Sequence, residues 1–299
     1  MAVQDWTFAG TWPHEPQWFE TADGRMAYID EGEGRPVVLV HGNPTWGYLW
    51  RRFIPPLVEA GYRVIVPDHL GFGRSDKPTG DADVYRVPRH ADRHEGLLEH
   101  LDLTDATPVV QDWGGPIGLA WATRHPERVH SLFILNTFAH RPRTETSLPL
   151  VVRLFRTPGV GEAMIQGGHL FVRGFLFQAG VVHKDRLTDE VKAAYLEPNG
   201  SWGERLPILV FPREIPSGPE GPVTDFVGDV ETGLAEHFAD KPVALAWPMQ
   251  DPAFTPEYLD RWLGTFPDAE VTRIEEASHY VQEDAHEVVI PRLLEFLGR

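Results

Sequence analysis

Residues 109–118 read Val-Val-Gln-Asp-Trp-Gly-Gly-Pro-Ile-Gly, a segment that leaves the chain little freedom of fold. An apolar run ending at Val109-Val110 meets a tight turn, and the small-residue stretch Gly114 to Ala122 then reads as a helix. A strand that breaks at a sharp corner into a helix holds the corner residue out over the end of a sheet. Here that residue is Asp112. A serine at such a corner gives an acyl-enzyme. An aspartate attacking a carbon centre instead gives an alkyl ester of its own side chain, which water must then cleave. The next residue, Trp113, carries an indole N–H that donates and cannot accept. Such a donor suits a departing anion.

The rest of the chain repeats the strand–helix alternation. Strands are predicted over Met26–Asp30, Pro36–Val40, Arg63–Pro67, Pro108–Gln111, Ser131–Asn136, Val243–Ala246 and Glu270–Ile274. Helices are predicted after Trp46 and over Ala91–Leu101, Pro116–His125, Pro256–Thr265 and Glu287–Leu297. This rhythm specifies an α/β protein, a mostly parallel sheet with helices on both faces. Between about His140 and Glu236 it is interrupted. The chain there turns Arg-rich, then Phe/Leu-rich (Leu170 to Phe177), then Pro/Gly-rich (Pro207 to Pro222). The expected organisation is a core of residues 1–139 and 237–299 with a helical cap, 140–236, inserted after the strand ending at Asn136. Phe171, Phe175 and Phe177 stand at spacings that serve a cavity wall or plain core packing equally well.

The 299 residues suffice for one large domain with a substantial core. A formal charge of −17 argues against nucleic acid and anionic membranes as partners, both of which need clustered Lys and Arg. Without cysteine, disulfides, thiolate metal sites and cysteine catalysis are excluded. No apolar run approaches the roughly 20 residues of a membrane span. Met1-Ala-Val-Gln-Asp-Trp does not read as a secretory signal, so a cytoplasmic location is expected.

Two further groups take catalytic roles beside Asp112. Asp251, in the loop Pro248-Met-Gln-Asp-Pro, and His279, in Glu276-Ala-Ser-His-Tyr, both follow predicted strands, where open α/β sheets build their sites. Alone, Asp251 is a turn residue before proline and His279 is one of 14 histidines. Their positions relative to the corner complete the order nucleophile, acid, base. Asn43 follows the strand Pro36–Val40 in His41-Gly42-Asn43-Pro44 and supplies an amide with two donors. His41 is assigned a structural role. Asp68-His-Leu-Gly-Phe-Gly-Arg-Ser lacks the phosphate-cradle pattern, and its glycines suit turns. His90 and His94 are four apart on a helix without a third ligand, so no metal site is expected.

With these residues assembled, the chain resembles the haloalkane dehalogenases of the α/β-hydrolase superfamily. The matching stretches are HGNPTWGYLWR (41–51), DHLGFGRSDKP (68–78), VVQDWGGPIG (109–118), ATRHPERV (122–129) and ASHYVQED (277–284). The resemblance implies Asp112 as nucleophile, His279 as base, and Asn43 with Trp113 as halide-binding residues. It implies a small apolar halogenated substrate and water as partners, a halide ion as product, and no cofactor. Where one branch of the family carries its acid, this chain has Asn136, so Asp251 must be the acid, as in the branches that place it after the seventh core strand. Val110 replaces the glycine two before the nucleophile. An epoxide hydrolase is the nearest rival, but it needs cap tyrosines, usually two, and the cap holds only Tyr195. A non-catalytic receptor or a luciferase-like relative on the same core is the other.

Overall fold

A computed structural model describes residues 5–299. Eight strands form one sheet: β1 (Gln17–Thr21), β2 (Gly24–Glu31), β3 (Pro36–Val40), β4 (Arg63–Pro67), β5 (Thr107–Asp112), β6 (Leu132–Thr137), β7 (Val243–Pro248) and β8 (Glu270–Ile274). Their order is β1-β2-β4-β3-β5-β6-β7-β8, with the β1–β2 and β2–β4 pairs antiparallel and all others parallel. β3, β5, β6 and β7 are buried along their whole length. That is why they read as continuous apolar runs without alternation. β1 is absent from the sequence-based expectation. It is an edge strand with three of its five residues exposed, Gln17, Trp18 and Glu20, so it lacks an apolar run. Its register with β2, from Gln17 opposite Tyr28 to Thr21 opposite Gly24, is set by a two-residue hairpin loop.

The helix Gly114–Arg124 lies unusually close to the sheet. A Cβ at Gly114 would fall 2.3 Å from the Val40 carbonyl oxygen, and one at Gly115 would fall 1.9 Å from Thr137 Oγ1. Small residues at these positions therefore let the helix start directly under the corner.

Between β6 and β7 the chain forms helical segments at Leu150–Arg156, Glu162–Gly167, Phe171–Ala179, Asp189–Leu196, Leu206–Glu214 and Pro222–His237, the second and third wound as π-helix. The last of these packs on the core helix Gly114–Arg124, where Gly233 faces Thr123 so closely that a Cβ would come within 2.6 Å. We propose a core-plus-cap division in which residues 140–236 form the inserted cap, its last helix, Pro222–His237, resting on the core layer. An amphipathic helix shows its apolar face in sequence but not which layer it covers. Among the described residues no helix is long and apolar enough to cross a membrane.

Candidate active site

Asp112 ends β5 with φ of +50°, a left-handed conformation that side chains adopt rarely. The register of β5 against β6 shifts between Val110 and Asp112, and Thr137 Oγ1 donates to the Asp112 carbonyl. These features hold the strained corner. Its carboxylate points at the His41–Asn43 loop, where the Asn43 backbone N–H donates to Asp112 Oδ1 at 2.7 Å. A Cβ on Gly42 would sit 2.2 Å from that oxygen, so glycine is required for the approach. Burial pushes the Asp112 carboxyl up to about 6, against the pull of His279 and of the Trp113 and Asn43 N–H groups.

His279 arrives from the loop after β8. Its Nε2 lies 3.6 Å from Asp112 Oδ2, and its Nδ1 lies 3.0 Å from Asp251 Oδ2. Asp251 follows β7, is fully shielded, and receives the Ala253 N–H at 2.7 Å. Burial would raise this carboxyl, but the His279 charge and the hydrogen bonds from His279 and the Ala253 and Phe254 N–H groups hold it below the usual carboxylate range. Burial would lower the His279 imidazole, and Asp251 and Asp112 outweigh that and raise it. Ionised Asp251 thus accepts from Nδ1–H and leaves Nε2 as the basic nitrogen, aimed toward Asp112.

Two amides around His279 were not singled out as site residues by the sequence. Asn136 Nδ2 donates to Asp251 Oδ2 at 2.6 Å and to the His279 carbonyl at 2.8 Å. Gln111 Nε2 donates to the same carbonyl at 3.1 Å. For Asn136 the available signal was its place where one branch of the family carries its acid; for Gln111 it was only its place directly before Asp112 at the end of β5.

Trp113 is buried, with its ring edge-on to Phe138 at 5.1 Å and to Phe211 at 5.3 Å. Among the described residues its indole N–H has no protein acceptor. Asn43 is also buried, and among the described residues its Nδ2 makes only a 3.4 Å contact with the Ile208 carbonyl of the cap. Both side chains therefore present donors beside Asp112 that the protein itself leaves almost unused. Phe175 closes the site from the cap, 5.0 Å from the His279 ring, and Phe254 stacks on that ring at 5.6 Å. Phe171 packs against Phe175 at 5.5 Å, and Phe177 is buried in the hydrophobic core.

The remaining candidates take structural positions. His41 Nε2 accepts the His69 N–H at 3.0 Å, and burial keeps the ring neutral. His90 and His94 pack against His69 in the interior. Gly73 in the glycine-rich loop has φ of +50°, and a Cβ there would meet Asp68 Oδ2 at 2.3 Å. Tyr195, the cap's tyrosine, is buried and donates to Glu283 Oε1 at 2.6 Å, in a cluster with Arg51.

Residues 35–286 match the α/β hydrolase fold family. The chain is 37% identical over 282 residues to a cis-3-alkyl-4-alkyloxetan-2-one decarboxylase of Xanthomonas campestris, covering 92% of each chain. It is 32% identical to haloalkane dehalogenase 2 of Mycobacterium tuberculosis, covering 96% of each. The solved haloalkane dehalogenase of Agrobacterium tumefaciens superposes with a TM-score of 0.85 at 27% identity, over 95% of this chain and 96% of that one. The chain belongs to the α/β-hydrolase superfamily, in the group that holds the haloalkane dehalogenases and the oxetanone decarboxylases.

Proposed function

We propose that this protein hydrolyses haloalkanes through an alkyl ester on Asp112. The observation that carries the reading is the pairing of that carboxylate with indole and amide donors that lack firm protein acceptors. Asp112 attacks the halogen-bearing carbon, the carbon–halogen bond breaks, and halide leaves toward Trp113 and Asn43. Donors placed where charge develops bind the transition state better than the neutral substrate. His279 Nε2 then takes a proton from water, and the resulting hydroxide attacks the ester's carboxyl carbon. Asn43 N–H, already on Oδ1, stabilises the oxyanion. Collapse releases the alcohol and restores the Asp112 carboxylate, so haloalkane and water become alcohol, halide and a proton. Asp251 orients and stabilises the imidazolium throughout.

A second reading is supported by the identities of 37% and 35% to two oxetanone decarboxylases, which stand within the 32–40% range of the haloalkane dehalogenase relatives. The same carboxylate attacking C4 of an oxetan-2-one would open the ring with its own carboxylate as leaving group. Loss of carbon dioxide then forms the C3–C4 double bond and returns the ester electron pair to Asp112, with no water consumed. The test is a pair of incubations, one with 1-bromobutane and one with a cis-3,4-dialkyloxetan-2-one, followed by bromide and alkene assays. Bromide with butanol supports the first reading. Alkene without bromide release overturns it in favour of the second. An epoxide hydrolase has less support, because the hydroxyl of Tyr195 is already bonded to Glu283.

Two predictions follow from the assigned roles. Trp113→Phe keeps the ring without the N–H, and Asn43→Leu keeps approximate size without the amide. Each is expected to slow halide release on the order of 10²-fold and to weaken bromide binding measured by titration calorimetry. Wild-type bromide affinity and rate in both variants would reduce these residues to packing. Asp251→Asn is expected to slow ester hydrolysis far more than the single-turnover release of bromide, because Nδ1 loses its ionised acceptor. Equal slowing of both steps would mean that Asp251 does not act through His279.

A further inference from the structure

Gln111 stands immediately before the nucleophile and is wholly buried. The His279 carbonyl can only accept, so the 3.1 Å contact fixes the NH2 end of the Gln111 amide toward it. That same nitrogen lies 3.4 Å from His279 Nε2, the nitrogen that must accept a proton from water. Among the described residues, buried Gln111 Oε1 has no hydrogen-bond partner. An unpaired buried acceptor is unfavourable, and an apolar side chain of similar length would avoid it. Packing alone therefore does not account for an amide at this position.

We propose that Gln111 is a positioning residue that holds the catalytic imidazole in its basic tautomer, with its donor facing the bare Nε2 and opposing protonation there. The proposal rests on the reading of His279 as the base of the ester-hydrolysis step. The groups around the ring make such a counterweight necessary. Asp251 at 3.0 Å and Asp112 at 3.6 Å both favour the imidazolium. The other neighbours are uncharged: Asn136 Nδ2 at 3.5 Å from Nδ1, the Phe175 and Phe254 rings, and Tyr280, whose hydroxyl burial keeps protonated. Of these neighbours, only Gln111 presents an N–H to Nε2. A base surrounded by two carboxylates otherwise drifts toward being permanently protonated, and a protonated imidazole cannot accept from water.

The test uses ¹⁵N-histidine NMR of the substrate-free protein, with the His279 signal assigned by its loss in His279→Gln. Gln111→Met removes the amide at nearly constant length, and Gln111→Asn keeps the amide but withdraws it from the ring. In both, the titration midpoint of His279 is expected to rise by about half a unit to one unit. The acid limb of single-turnover ester hydrolysis should move up by the same amount, while bromide release stays less affected. A merely structural role would lower the melting temperature and leave the midpoint in place. If Gln111→Met folds poorly, Gln111→Asn decides alone. A midpoint unmoved in the folded variant overturns the proposal. The NMR arm needs no substrate, so it stands apart from the assignment of the reaction: wild-type protein that forms no alkyl ester would defeat that assignment while leaving the imidazole measurement decisive.

Discussion

His279→Gln protein mixed with 1-bromobutane is expected to release about one bromide per active site and then stop. Glutamine can still donate to Asp251, so the loop keeps its anchor, but it cannot take a proton from water. Bromide release needs only Asp112 and the leaving-group donors, and it continues until every carboxylate is alkylated. Mass spectrometry should then locate a butyl ester on the peptide that contains Asp112, and steady-state turnover should fall on the order of 10³-fold or more. The 3.6 Å between His279 Nε2 and Asp112 Oδ2 is the structural basis of this split, because a water activated at Nε2 lies within reach of the ester carbon. Turnover at the wild-type rate would remove His279 from the mechanism. Absence of the burst would remove Asp112.

Asp112→Asn is expected to abolish bromide release, a loss on the order of 10⁴-fold or more by comparison with other nucleophile deletions. Asparagine fits the same space and tolerates the positive φ of the corner. The variant should also melt a few degrees higher than wild type at pH 8. The sign follows from the carboxyl, which burial pushes from 3.8 up to about 6. A raised carboxylate destabilises the fold where it is ionised, so the penalty is full above about pH 6 and fades as pH falls toward 3.8. The gain in melting temperature should therefore shrink between pH 6 and pH 4. The same group sets the acid limb of the first step in wild type, since only ionised Asp112 attacks. The bromide burst should slow about tenfold per unit below pH 6. A variant no more stable than wild type at pH 8 would mean the buried charge is compensated more fully than the surrounding N–H groups suggest.

The parts of this site that the sequence made legible are those whose geometry is set by their immediate neighbours. The corner at Asp112 needs an apolar strand before it and small residues after it, because the helix Gly114–Arg124 touches Val40 and Thr137 almost without side chains between. Gly42 is required one residue before Asn43 for the same kind of reason, a carboxylate oxygen 2.2 Å from where its Cβ would be. Asp251 and His279 could be placed because each directly follows a core strand. β3 to β7 were legible as apolar runs because they are buried along all or nearly all of their length, whereas β1 was not, since as an edge strand it carries polar and exposed residues.

Only the tertiary structure decided which groups meet. Gln111 and Asn136 act on His279 because the sheet order sets β5, β6, β7 and β8 side by side, so amides at two strand ends converge on one carbonyl. Nothing near either residue in the chain announces that partner. Tyr195 carries a hydroxyl that suits acid catalysis, yet the fold turns it onto Glu283, far along the sequence. The helix Pro222–His237 shows a clear apolar face, and only packing assigns that face to the core. Backbone geometry and one-sided burial are local properties and leave periodic marks in the chain. Hydrogen-bond partners are pairwise and long-range, and they exist only once the strands have been ordered.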